Sequence, residues 1–321
     1  MRRAMNVDYL RVSVTDRCNL RCIYCNPRGD HGLGDRAEML DSDEIHRVVR
    51  LGADCGIRKV RLTGGEPLMR KDIANLVRRL AGVSGIEDLS LTTNGVFLGQ
   101  MAAELKGAGL KRVNISLDAA DRQCYQDMTG SDLLPRVTGG MHKAMEVGLT
   151  PVRLNCVVMR DHNLSQVQDL AQMTAHLPVS VRFIEYCPTT RLTGPASDYV
   201  PNDEVRSMIE SRFGRLSSVV FPNAGGPAVY FKMEGALGAI GFISGRSSIF
   251  CQRCSRLRLT SDGKIRPCLH AARSYDIKEL LRGGGSDDAI RHLIRQIIRE
   301  KSLHTRLNST AGDFLMQNVG G

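Results

Sequence analysis

Short apolar runs alternate with longer stretches whose apolar positions recur at helical spacing, and this alternation fills the first two thirds of the chain. DYLRVSV (8–14) reads as a strand. Across residues 42–54, Ile45, Val48, Val49 and Gly52 share one side of a helix. VRLTG (60–64) reads as a buried strand ending in a glycine turn, and 71–80 as a helix carrying Ile73, Leu76, Val77 and Leu80. The beat continues through strand 87–92, helix 99–107, strand 112–117, helices within 121–147, strand 152–158, helix 164–175 and strand 179–185. Six such units predict a parallel sheet, because each return needs a crossover. The expected fold class is therefore α/β. It takes the form of an incomplete parallel (βα)6 barrel over residues 1–215, with functional groups at the C-terminal ends of its strands.

The rhythm breaks at a loop rich in Pro, Thr, Gly and Ser (187–202). A helix at 203–213 is followed by strand-like pieces near 215–220, 228–232 and 237–243, and then by helices at 276–282 and 287–300. Residues 216–321 read as a C-terminal region that closes the barrel mouth and ends in a polar tail, Gly320-Gly321. No run of about 18 apolar residues exists to span a membrane. The start of the chain lacks the apolar stretch of a secretory signal, so a cytoplasmic protein is expected.

Composition adds a charge bias. The 321 residues hold 44 Lys and Arg against 34 Asp and Glu, a formal net charge of +10, which favours anionic partners. A nucleic-acid module is not favoured, because the chain has no Trp, few aromatics for stacking and no dense basic tail. Ten cysteines in a reducing compartment are not a disulfide framework. Six of them form two groups of three: Cys18, Cys22, Cys25 and Cys251, Cys254, Cys268. Cys55, Cys124 and Cys156 read as small core residues.

CNLRCIYC places Cys18, Cys22 and Cys25 on one loop just past the first strand. Three such thiolates suit three irons of a [4Fe–4S] cluster and leave the fourth iron open. The rival is a zinc knuckle completed by His31. The CxxxCxxC loop, with Tyr24 before its last cysteine, resembles the signature of the radical S-adenosylmethionine superfamily. TGGEP (63–67), TTNG (92–95) and SLD (116–118) stand where that superfamily would have them. The resemblance implies reductive cleavage of S-adenosylmethionine at this cluster, with Tyr24, Gly65, Ser116 and Cys187 on the cofactor side.

FCQRCSRLRLTSDGKIRPCL carries Cys251, Cys254 and Cys268 among basic residues. By spacing alone a Cys3His zinc site using His270 stays open. Together with VRLTGGEPLMRKDI, LSLTTNG, RVNISLDA and VRFIEY, the segment resembles the GTP 3',8-cyclase family of molybdenum cofactor biosynthesis along nearly the whole chain. That resemblance implies a second [4Fe–4S] cluster whose open iron binds guanine. It also implies removal of the ribose 3' hydrogen and closure of C3' onto guanine C8. The GTP residues it implies are Arg11, Arg61, Thr92, Arg153, Arg256, Leu257 and Arg258, with Arg256 and Arg258 also serving catalysis. Arg256 and Arg258 share one face of an extended segment, and arginine supplies the bidentate donors that a triphosphate needs. The implied partners are a reductant such as flavodoxin or ferredoxin and, downstream, cyclic pyranopterin monophosphate synthase; a homodimer is compatible with the reading.

Three positions depart from the family pattern: Asn26 and Cys187 where methionine is usual, and Arg153 where lysine is typical. Two rivals remain: a diverged twin-cluster enzyme acting on another nucleotide or a peptide, and a zinc-containing nucleic-acid-binding protein.

Overall fold

The computed structural model describes residues 7–29, 36–188, 193, 195–220, 226–248, 254–271 and 273–301. The first cysteine loop follows strand β1 (Tyr9–Ser13). The chain then alternates through α1 (Ser42–Asp54), β2 (Lys59–Thr63), α2 (Ile73–Ala81), β3 (Asp88–Thr93), α3 (Leu98–Gly107) and β4 (Arg112–Ser116). Next come α4 (Arg122–Thr129), α5 (Leu134–Glu146), β5 (Arg153–Val158), α6 (Arg160–Asn163), α7 (Val167–His176), β6 (Ser180–Glu185) and α8 (Asn202–Phe213). The remainder forms β7 (Ser217–Val219), β8 (Val229–Lys232), β9 (Ala239–Ile243), β10 (Arg256–Leu259), β11 (Lys264–Arg266), β12 (Tyr275–Asp276), α9 (Lys278–Arg282) and α10 (Asp287–Glu300).

Local chemistry explains where the helices start and which side they bury. Asp41 and Glu44 form a reciprocal capping box at the start of α1: Glu44 N donates to Asp41 Oδ1 and Asp41 N to Glu44 Oε2, each at 2.8 Å. The buried side of α1 is the predicted one, Ile45, Val48, Val49 and Gly52. Helix α2 likewise buries Ile73, Leu76, Val77 and Leu80. Each of these Ile, Leu and Val side chains contributes roughly 1.5–3 kcal/mol by leaving water.

The six expected parallel strands are present as β1–β6, paired in sequence order, and the sheet continues past both edges. Strand β10 adds parallel to β1, pairing Arg258 with Arg11, while β9 adds parallel to β6, pairing Gly241 with Arg182. Eight neighbouring strands are therefore parallel, flanked by antiparallel β11–β12 on one side and β8–β7 on the other. The C-terminal residues extend the sheet itself, a point that local periodicity did not convey. Of the three cysteines expected in the core, Cys156 is buried while Cys55 and Cys124 are half-buried. Among the described residues, no helix is long and apolar enough to cross a membrane.

Candidate active site

A cavity of about 370 Å³ opens over the C-terminal ends of the parallel strands. Its wall includes Cys18, Cys22 and Cys25 from the loop after β1, and Cys254 and Cys268 from either side of β10 and β11. Cys251 and Gly320-Gly321 lie outside the described residues, as does His31. The pairing of β10 beside β1 explains how two cysteine groups over 200 residues apart reach one cavity.

The first cysteine loop is held from two sides. Ile23 N donates to Met128 O at 3.1 Å and Arg21 N to Thr129 O at 2.9 Å, tying the loop to the end of α4. On the other side, Gly65 N donates to Thr15 O and Glu66 N to Arg17 O, both at 2.7 Å. Glycine is required there: a Cβ on Gly64 or Gly65 would collide with the carbonyl oxygens of Thr15 and Arg17. Glu66 is fully buried and accepts from Leu68 N (2.9 Å), Thr93 Oγ1 (2.7 Å) and Asn94 N (2.7 Å), so it locks TGGEP to TTNG. Burial pushes its carboxyl up to about 7. Tyr24 Oη donates to Asp118 Oδ2 at 2.7 Å, and Val157 N donates to Asp118 Oδ1 at 2.9 Å. Burial likewise raises Asp118, to about 6. Tyr24 is thus oriented by SLD, a link not evident in the sequence.

Arginines line the opposite end. Side chains at matching register positions point to one face of the sheet, so Arg258, Arg11 and Arg61 form a row across β10, β1 and β2, continued by Ser90 and Arg112. Arg61 donates to Ser90 Oγ at 3.2 Å and lies 5.4 Å from the Tyr9 ring centroid. Burial lowers Arg61 to about 9 and Arg258 to about 10, with neighbouring arginines adding to the shift. Guanidiniums grouped in this way suit an anionic ligand.

Every other expected site residue has a definite place. Thr92, Ser116, Cys187, Gly65, Arg256 and Arg258 line the cavity. Arg153 is buried in the row of Asn114 and Ser180 and is not brought to the cavity wall. The Leu257 side chain is in the core, and its backbone pairs with Leu10. His270 lies in the wall near Cys268. Arg182 was missed: it lines the cavity and donates to Asn155 Oδ1 at 2.9 Å. The reasoning that selected Arg61, a charge at an inward strand position, also selects Arg182 within VRFIEY. Lys301 was missed as well, since nothing in its local sequence marks it.

The loop of Cys18, Cys22 and Cys25 has the donor set of an iron–sulfur cluster site. All five described members of the two cysteine groups are free thiols, half-buried in the cavity wall. Burial pushes Cys18 up to about 11, so a thiolate there calls for a metal's positive charge. Among the described residues no three His, Cys, Asp or Glu side chains converge as ligands of one ion.

Comparison with known proteins agrees with this geometry. The Radical SAM superfamily profile matches residues 12–174, and the Molybdenum Cofactor Synthesis C profile matches residues 179–307. A GTP 3',8-cyclase of Thermodesulfovibrio yellowstonii is 44% identical over 94% of this chain and 95% of its own length. Another, from Pelotomaculum thermopropionicum, is 43% identical over 98% of both. Among solved structures, Streptococcus suis SuiB bound to S-adenosylmethionine shares the fold with a TM-score of 0.62 at 18% identity, covering 99% of this chain and 73% of that one. Methylornithine synthase gives a TM-score of 0.51 at 19% identity, covering 66% and 64%.

Proposed function

The chain belongs to the GTP 3',8-cyclase family within the radical S-adenosylmethionine superfamily, which carries out the first step of molybdenum cofactor biosynthesis, and from that premise we propose how its cavity divides the work. Residues 1–215 hold the cofactor and residues 216–321 complete the substrate end. Cys18, Cys22 and Cys25 hold one [4Fe–4S] cluster, and Cys251, Cys254 and Cys268 a second. The observation that carries this reading is a single cavity wall with members of both cysteine groups and Arg11, Arg61, Arg182, Arg256 and Arg258.

When bound, the first cluster supplies the electron that breaks the C5'–S bond of S-adenosylmethionine. With the cofactor bound, the 5'-deoxyadenosyl radical would take the ribose 3' hydrogen of GTP and leave as 5'-deoxyadenosine. Closure of C3' onto guanine C8 would leave a base-centred radical, which one further electron from the reductant and one proton at N7 convert to (8S)-3',8-cyclo-7,8-dihydroguanosine 5'-triphosphate. The protein's part is positional and electrostatic. Glu66 holds the glycine turn, whose backbone meets the methionine amine and carboxylate. Asp118 orients Tyr24 beside the cofactor, near Ser116 and Cys187. The arginine row clamps the triphosphate. Oxidisable clusters favour the cytoplasm as the compartment and flavodoxin or ferredoxin as the reductant.

The test is anaerobic incubation of the reconstituted chain with GTP, S-adenosylmethionine and dithionite. The expected outcome is a 3',8-cyclised nucleotide from a protein holding about eight irons per chain. Cleavage of S-adenosylmethionine without that product would sink the substrate assignment, and zinc in place of iron would sink the cluster assignment.

A further inference from the structure

Helix α10 is fixed in register against α1. Arg47 and Arg50 bind Asp287 at 2.8 and 2.6 Å, and Arg291 binds Asp54 at 2.9 Å. Singly, such half-exposed pairs contribute little. Here they accompany Ile290, Ile294 and Ile297, which are buried in the core. The end of this anchored helix delivers Lys301 to the cavity wall, where it is 2% exposed. A buried ammonium costs several kcal/mol unless its donors find partners. Lys301 Nζ donates to Pro267 O at 2.6 Å and stands 3.7 Å from Cys254 Sγ. Pro267 immediately precedes Cys268, so one ammonium engages both described cysteine arms of the second group.

We propose that Lys301 is a positioning residue of the second cluster, whose charge and N–H···S contact raise that cluster's reduction potential. The inference rests on the reading that Cys251, Cys254 and Cys268 hold a cluster. Reduction adds negative charge to the metal centre, and a fixed cation with a hydrogen bond to a ligand sulfur favours that reduced state. The carbonyl contact to Pro267 keeps the cation in place between the two cysteine arms.

The test uses the full chain carrying Cys18→Ala, Cys22→Ala and Cys25→Ala, which leaves only the second group. Iron content and a midpoint potential by EPR-monitored titration are measured with Lys301 present, in Lys301→Met and in Lys301→Arg. The expected result is about four irons per chain in all three, a potential shifted to more negative values in Lys301→Met, and a potential near the parent's in Lys301→Arg. Iron lost from Lys301→Met but kept in Lys301→Arg also supports the role of the charge. An unchanged potential in fully loaded Lys301→Met overturns the proposal, as does equal iron loss in both variants. A parent chain without iron removes the second-cluster reading itself, and this inference with it.

Discussion

The two cysteine-bearing ends of the cavity use the same thiol chemistry in opposite electrostatic settings. At the first end, burial pushes the Cys18 thiol up to about 11, with Glu66 adding to the shift, and burial followed by Asp118 raises Cys22. At the second end, burial also pushes Cys254 upward, but Arg256 and Lys301 outweigh it and bring the thiol down to about 7. Buried carboxyls therefore mark one end and buried cations the other. That polarity suits the two small molecules of the proposed reaction: a sulfonium with an ammonium at the acidic end, and a triphosphate at the basic end. The lesson is that the same side chain acquires different acidity according to the charges packed behind it.

The largest effect should come from breaking the basic end. Arg256→Ala combined with Arg258→Ala removes two charge-assisted contacts, each worth about 1.5–3 kcal/mol. A loss of roughly 10²- to 10⁴-fold in kcat/KM for GTP follows, while uncoupled cleavage of S-adenosylmethionine continues. Steady-state assays of both products check this, and unchanged GTP affinity would remove the phosphate clamp.

A second test acts on the acidic end through pH. Glu66 rises from its ordinary value of 4.5 to about 7 in the folded chain. The folded state thus keeps a proton that the unfolded state has released. Stability therefore falls as pH rises between about 4.5 and 7, by at most about 3 kcal/mol. Glu66→Gln should flatten that slope in anaerobic thermal unfolding across the same pH range. A slope of equal size in the variant would assign the titration to another group, with Asp118 the next to examine.

The smallest effect sharpens the cofactor side. Tyr24→Phe deletes the donor to Asp118 Oδ2 at a cost of about 1 kcal/mol. The KM for S-adenosylmethionine should rise roughly fivefold while the KM for GTP stays put. Equal changes in both would mean that Tyr24 supports the whole cavity and not the cofactor end alone.

Much of this arrangement could be read from the chain. The α1 range 42–54 agrees to the residue, because apolar positions recurring at helical spacing are a local signal. The glycine turn after β2 and the cysteine loop were equally local. What escaped was pairing at a distance. Nothing in RLRL says that β10 lies beside β1, since register across more than 200 residues is decided by tertiary packing. Arg182, like Arg61 a charge at an inward strand position, was legible in VRFIEY, whereas Lys301 escaped because a lysine at a helix end usually points to water. Lys301 gains meaning only from the cysteine segment packed beside it.

Strand β1 sits between β2 and β10, and that placement bears on how the protein is made. The chain's earliest strand keeps one edge unsatisfied until residues 256–259 leave the ribosome. At about 5–20 residues per second the wait is on the order of 12 to 50 s. During that interval a half-finished sheet exposes backbone donors and acceptors beside the first cysteine loop.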